Sequence, residues 1–145
     1  MKIFLIIIIA GISLVACQTS DNKSKLTDEQ KRNALKDSSN YTTIQWLDST
    51  YKDMGKVKEG PAVPISFRFK NTGNHALIIS DVTTSCGCTI AEKPEKPIAP
   101  GEEDVIKAVF TSQGHPGTNR KDVHVIANTL PESSMTLTFS VEVTK

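Results

Sequence analysis

Residues 65–70 read "ISFRFK", and their side chains alternate without a break: Ile65, Phe67 and Phe69 on one side, Ser66, Arg68 and Lys70 on the other. A period of two is what a half-buried β-strand requires, because successive side chains leave the pleat on opposite faces. The same pattern returns in "LTFSVEV" with Leu137, Phe139, Val141 and Val143 inward, in "KDVHVIAN" with Val123, Val125 and Ala127, and in "DVIKAVF" with Ile106, Ala108 and Phe110. "TIQWL" around Trp46, "ALIISDV" from Ala76 and the piece from Met54 to Val57 add shorter candidates. The stretches between them carry turn chemistry: "NTGNH" with Gly73, "PIAPGEED" with a Pro100-Gly101 pair suited to a type II turn, "SQGHPGTN" and "NTLPESS". No alternation of strand and helix supports a parallel sheet. The expectation is an all-β antiparallel sandwich of about seven strands over residues 41–145, with Phe67, Phe69, Phe110 and Phe139 in one core.

Upstream of this body the chain changes character twice. Lys2 is followed by "IFLIIIIAGISL", an apolar run of twelve residues, and then by "VAC". The run is too short to span a bilayer and has the length of the apolar region of a signal peptide. Leu14-Val15-Ala16-Cys17 resembles the lipobox of bacterial lipoproteins, in which the cysteine is acylated and the bond before it is cut. On that resemblance residues 1–16 are a signal peptide, and Cys17 is the lipidation site that ties the protein to a membrane. Residues 17–40 are polar, with only Leu26, Ala34 and Leu35 apolar after Cys17, and read as a flexible tether. Within it Thr27 and Gln30 have the spacing of a capping box for one or two helical turns through Leu35.

Composition narrows the function. The chain has 17 basic and 16 acidic residues, and this balance argues against a nucleic-acid partner, which usually selects a basic excess or stripe. The Gly-x-Ser-x-Gly, His-Glu-x-x-His, Walker and Gly-x-Gly-x-x-Gly motifs do not occur. His75, His115 and His124 stand in different segments without metal-ligand spacing. Glu102 and Glu103, and Glu132 with Asp122, read as solvated charge at turns and edges. Trp46 and Tyr51 are candidates for a ligand face, but a lone tryptophan in a small sandwich more often belongs to the core. No catalytic site, cofactor or metal is expected.

Phe69 to Gly73 as "F-x-N-T-G", Leu77 to Thr89 as "LIISDVTTSCGCT", and Pro97 to Gly101 as "PIAPG" are together similar to a bacterial family catalogued as domain of unknown function 1573. Gly117 and the closing apolar strand continue the similarity, which runs from about Trp46 to the C-terminus. The resemblance implies an immunoglobulin-like β-sandwich, often carried by lipoproteins of Gram-negative bacteria. It implies no activity.

The chemistry of "TTSCGCTI" (83–90) is the open question. Residues two apart on a straight strand have Cα atoms roughly 6.6 to 6.8 Å apart, at the upper limit for a disulfide, roughly 4.4 to 6.8 Å. Gly87 between the cysteines offers backbone angles that fold the chain and bring both sulfurs to one side. A loop of about three residues gives a disulfide only about 1.6 kcal/mol of chain-entropy stabilisation. The pair Cys86 and Cys88 is therefore expected at a bend closing the strand that ends near Thr84, oxidised in an envelope and dispensable for folding.

Two functions follow. The first is a membrane-anchored envelope lipoprotein whose non-enzymatic module binds another envelope protein or a polysaccharide. The second is an envelope thiol protein in which Cys86 and Cys88 exchange disulfides or hold Cu(I). Gln18 is not the aspartate that favours inner-membrane retention in some bacteria, so the outer membrane is the expected location.

Overall fold

A computed structural model describes residues 25–145, and the alternation of "ISFRFK" extends in it over Ala62–Asn71. In this strand Val63, Ile65, Phe67 and Phe69 are buried, while Ala62, Pro64, Ser66 and Arg68 are exposed. Numbered along the chain, the strands are β1 (Ile44–Trp46), β2 (Tyr51–Lys58), β3 (Ala62–Asn71), β4 (Ile79–Thr84), β5 (Thr89–Glu92), β6 (Glu103–Thr111), β7 (Gly117–Ala127) and β8 (Ser134–Thr144). They form two four-stranded sheets, in the orders β1-β3-β6-β5 and β2-β8-β7-β4. Each sheet presents one apolar face to the other, which is the condition for a sandwich.

The four phenylalanines of the alternating strands are fully buried and belong to one cluster. Phe110 of β6 and Phe139 of β8 meet edge-to-face across the two sheets at 5.9 Å between centroids. Trp46 is half-buried and packs its ring against Phe69 at 5.6 Å, so it closes the core at the β1 edge. Removing one such buried ring costs about 3 to 5 kcal/mol, the transfer energy plus the cavity left behind.

Two features differ from the alternation-based expectation. Among the described residues there are eight strands: β5, "TIAE", is four residues long, too short to show a period. One pairing is parallel, β2 alongside β8, while the others are antiparallel. Pro64 interrupts no ladder, because β1 pairs only with Phe69, Lys70 and Asn71 and leaves the first part of β3 at a sheet edge.

Of the segment 17–40, residues 25–40 are described, and they lie against the sandwich. Helix α1 (Asp28–Ala34) starts with the capping box: Gln30 N donates to Thr27 Oγ1 (3.3 Å) and Thr27 N donates to Gln30 Oε1 (2.8 Å). Its Lys31 is buried, and Tyr41 Oη donates to the Leu35 carbonyl (2.7 Å). Lys25 forms an ion pair with Glu95 in the loop after β5. Cys17 lies outside the described residues.

At the opposite edge Asp48 accepts from Arg68 Nη2 (2.8 Å) and Lys52 Nζ (3.0 Å). The Arg68 side-chain bond, with those from the Arg68 backbone and Lys52, holds its carboxyl well below the usual carboxylate range.

Candidate functional site

Two places tie the sandwich together beyond its strands, and both coincide with recognisable sequence. The first is built on Asn71 at the end of β3. Its side chain is fully buried. Thr42 Oγ1 donates to Asn71 Oδ1 (2.8 Å), and so does Gly73 N (3.2 Å); Asn71 Nδ2 donates to the carbonyls of His75 (2.8 Å) and Ile98 (2.9 Å). The backbone adds Asn71 N to Glu102 O (2.9 Å) and Gly101 N to Asn71 O (2.8 Å). One side chain thus joins the chain before β1, the "NTGNH" turn and the "PIAPG" turn, and Gly101 takes the left-handed φ of 81° that a type II turn demands. A buried amide is tolerable only when all of its groups are paired, and here they are.

Asn128 does the same work for the other sheet. It donates to Asn40 O (2.8 Å) and Ala76 O (3.0 Å) and accepts from Ile78 N (2.7 Å). Thr42 N donates to Asn128 O (3.0 Å), so Thr42 bridges the two asparagines. Glu102 is not merely solvated charge, since its Oε2 accepts from Ala99 N (2.9 Å) and closes the turn. Glu103 stays exposed, 3.8 Å from Lys70. Asp122 accepts from Thr138 Oγ1 (2.7 Å).

The second place is the corner where the chain leaves β4 in one sheet and enters β5 in the other. Cys86 and Cys88 occupy it, half-buried, with their sulfurs bonded at 2.00 Å and their Cα atoms 5.3 Å apart. The corner is held by oxygen and nitrogen as well as by sulfur. Thr84 Oγ1 lies 2.8 Å from Thr89 O and 3.1 Å from Cys86 O. Thr111 N donates to Cys88 O (2.8 Å), Ser85 N donates to Asp122 O (3.0 Å), and Asp122 N donates to Ser85 Oγ (3.1 Å). The buried Thr89 places its Oγ1 3.8 Å from Cys86 Sγ and 4.0 Å from Cys88 Sγ. Disulfide sulfurs carry no proton, so the hydroxyl is the donor to either.

Gly87 corrects the sequence reading. Its φ is not in the left-handed region, and a Cβ built on it meets, beyond its two chain neighbours, no atom of the described residues within 4 Å. The bend does not depend on angles reserved for glycine. The residue leaves the corner bare instead.

The remaining candidates stay apart. Trp46 and Tyr51 lie on different sheets; Tyr51 is exposed, with its hydroxyl 2.7 Å from Ser140 Oγ and Arg120 5.8 Å from its ring. His115 Nδ1 sits 2.9 Å from Gln113 O, His124 Nδ1 3.2 Å from Thr136 Oγ1, and His75 lies in the "NTGNH" turn. Among the described residues no three His, Cys, Asp or Glu side chains form a metal-binding group.

Sequence reasoning missed three elements: the Thr84 and Thr89 hydroxyls, β5 itself, and an apolar row on the outer face of its sheet. There Ile90, 68% exposed, stands opposite Val109, 40% exposed, which in turn faces the exposed Pro64. Only register across three strands creates that row.

The family described as protein of unknown function (DUF1573) matches residues 44–143. The chain belongs to this family. No curated protein matches it. Among solved structures it is similar to a protein of unknown function from Porphyromonas gingivalis W83, with 20% identity and a TM-score of 0.64 over 73% of this chain and 49% of that one. It is also similar to the ASH/PapD-like domain 7 of human CEP192, with 9% identity and a TM-score of 0.57 over 72% of this chain and 87% of that one. The secreted serine protease VesC from Vibrio cholerae aligns with 12% identity and a TM-score of 0.53, over 70% of this chain and 23% of that one. The chain thus spans about half of the Porphyromonas protein and less than a quarter of the protease. At these identities the likeness is one of fold.

Proposed function

We propose that this family member is a lipid-anchored interaction module of a bacterial cell envelope, tethered through Cys17 and docking another envelope protein at the β5 edge. The observation that carries the reading is the row Pro64–Val109–Ile90. Single exposed apolar side chains are ordinary on a protein surface. A contiguous row across three strands is what a protein partner uses, as apolar contact at the centre of an interface. A polysaccharide would make less use of such a row than a second polypeptide does. The anchor is supported by the twelve-residue apolar run and by Ala16 before Cys17.

Both halves are open to test in cells. Cys17→Ser is expected to release the protein from the membrane fraction, and unchanged pelleting defeats the anchor. A photo-crosslinking residue at position 90 is expected to give a discrete adduct that is lost on Val109→Glu, while the same probe at Thr136, on the outer face of the other sheet, gives none. Equal adducts from both faces, or none from position 90, defeat the docking surface.

A further inference from the structure

The two sulfurs at the β4–β5 corner are an odd choice for a staple. A disulfide stabilises chiefly by restricting the unfolded chain, and more so as its loop lengthens; this one joins residues two apart. In the folded state the backbone on either side of it is also held by hydrogen bonds. Cys88 is held through its carbonyl by Thr111 N, Ser85 by Asp122, and the Thr89 carbonyl by the Thr84 hydroxyl, with the Cys86 carbonyl as its alternative acceptor.

Its surroundings suit another role. Apart from the two cysteines themselves, nothing lies within 4 Å of the Cβ position at Gly87, and both cysteines are only half-buried. Beneath the pair the Thr89 hydroxyl lies within 4.0 Å of both sulfurs, able to donate to whichever one becomes a thiolate. Charge-assisted bonds of this kind stabilise the anion more than the neutral sulfur, and in disulfide exchange a better-stabilised leaving thiolate departs faster.

We propose that Cys86–Cys88 is a thiol–disulfide exchange site whose substrate is a dithiol, with Thr89 stabilising the departing sulfur. A substrate thiolate attacks one of the two sulfurs; the Cys86–Cys88 bond breaks, a mixed disulfide forms, and the other cysteine leaves as a thiolate. The second thiolate of the substrate then attacks its own sulfur in the mixed disulfide and releases the remaining cysteine. The substrate is oxidised by two electrons to a disulfide, the protein is reduced to a dithiol, and the two substrate protons end on Cys86 and Cys88. Exchange with a second, more oxidising disulfide restores the pair. None of this depends on the docking surface or the lipid anchor.

The test uses the full chain as isolated from cells, with reduced glutathione and a two-cysteine peptide as probes. Samples are acid-quenched, alkylated and weighed by mass spectrometry, while circular dichroism follows the fold. Glutathione is expected to reduce the pair without denaturant and with the β spectrum retained. The peptide is expected to yield one cyclic disulfide per protein reduced. Thr89→Val is expected to slow reduction about tenfold, the equivalent of one hydrogen bond, and Thr89→Ser to restore the rate, each with the β spectrum retained. Reduction that begins only in the unfolding transition makes the pair a structural link and overturns the proposal. An unchanged rate in Thr89→Val removes the hydroxyl from it.

Discussion

Gly73 and Gly87 both lie just past the end of a strand, β3 and β4, in the two most recognisable stretches of the chain, and they are used in opposite ways. A Cβ on Gly73 would collide with Thr42 Oγ1 and lie 2.6 Å from Thr43 N; a Cβ on Gly87 would enter open space. Around Gly73 the groups are buried and mutually satisfied through Asn71, so each is needed by the others. Around Gly87 the backbone is secured from both sides by Thr84, Thr111 and Asp122, and the sulfur bridge is added to a corner already closed. The plainer motif therefore carries more of the structure.

The largest expected effect falls on the Asn71 side. Asn71→Ala strands two donors, Thr42 Oγ1 and Gly73 N, and the His75 carbonyl, and it removes one of the two bonds to the Ile98 carbonyl, which keeps Leu77 N. The loss should be about 3 to 4 kcal/mol in urea denaturation; a loss under about 1 kcal/mol would mean that water replaces the amide and the region is not the tighter of the two. Gly73→Ala should follow at about 2 to 3 kcal/mol, because a backbone nitrogen cannot step aside as a side chain can. On the other side, replacing both Cys86 and Cys88 by serine should leave a folded domain, weakened by no more than about 2 kcal/mol. Failure to fold would reverse the comparison. Gly87→Ala is the smallest, within about 0.5 kcal/mol of the parent, and a deficit matching that of Gly73→Ala would abolish the contrast altogether.

The alternation of "ISFRFK", "DVIKAVF", "KDVHVIAN" and "LTFSVEV" was enough to assign four strands and to put Phe67, Phe69, Phe110 and Phe139 in one core. Period two is a local signal that needs no partner to be read. Thr27 with Gln30 announced α1 by the same logic, since a capping box is complete within four residues. The bend at Cys86 and Cys88 was legible from the alternation faltering between Ile79 and Val82, but not from Gly87, which takes no angle reserved for glycine.

Tertiary structure alone decided the rest, and always where the deciding partner is distant in sequence. β5 is a strand because β6 pairs with it, not because four residues show a period. β2 runs parallel to β8 although some 80 residues separate them, a choice no local pattern encodes. Asn71 and Asn128 look like ordinary turn residues until Thr42, Ile98 and Asn40 arrive from elsewhere in the chain to use every polar atom of their side chains. Thr89 looks like one more β-branched strand former until folding sets its hydroxyl beneath two sulfurs. Side-chain periodicity is written along the chain, whereas the pairing of buried polar groups exists only between segments brought together by the core.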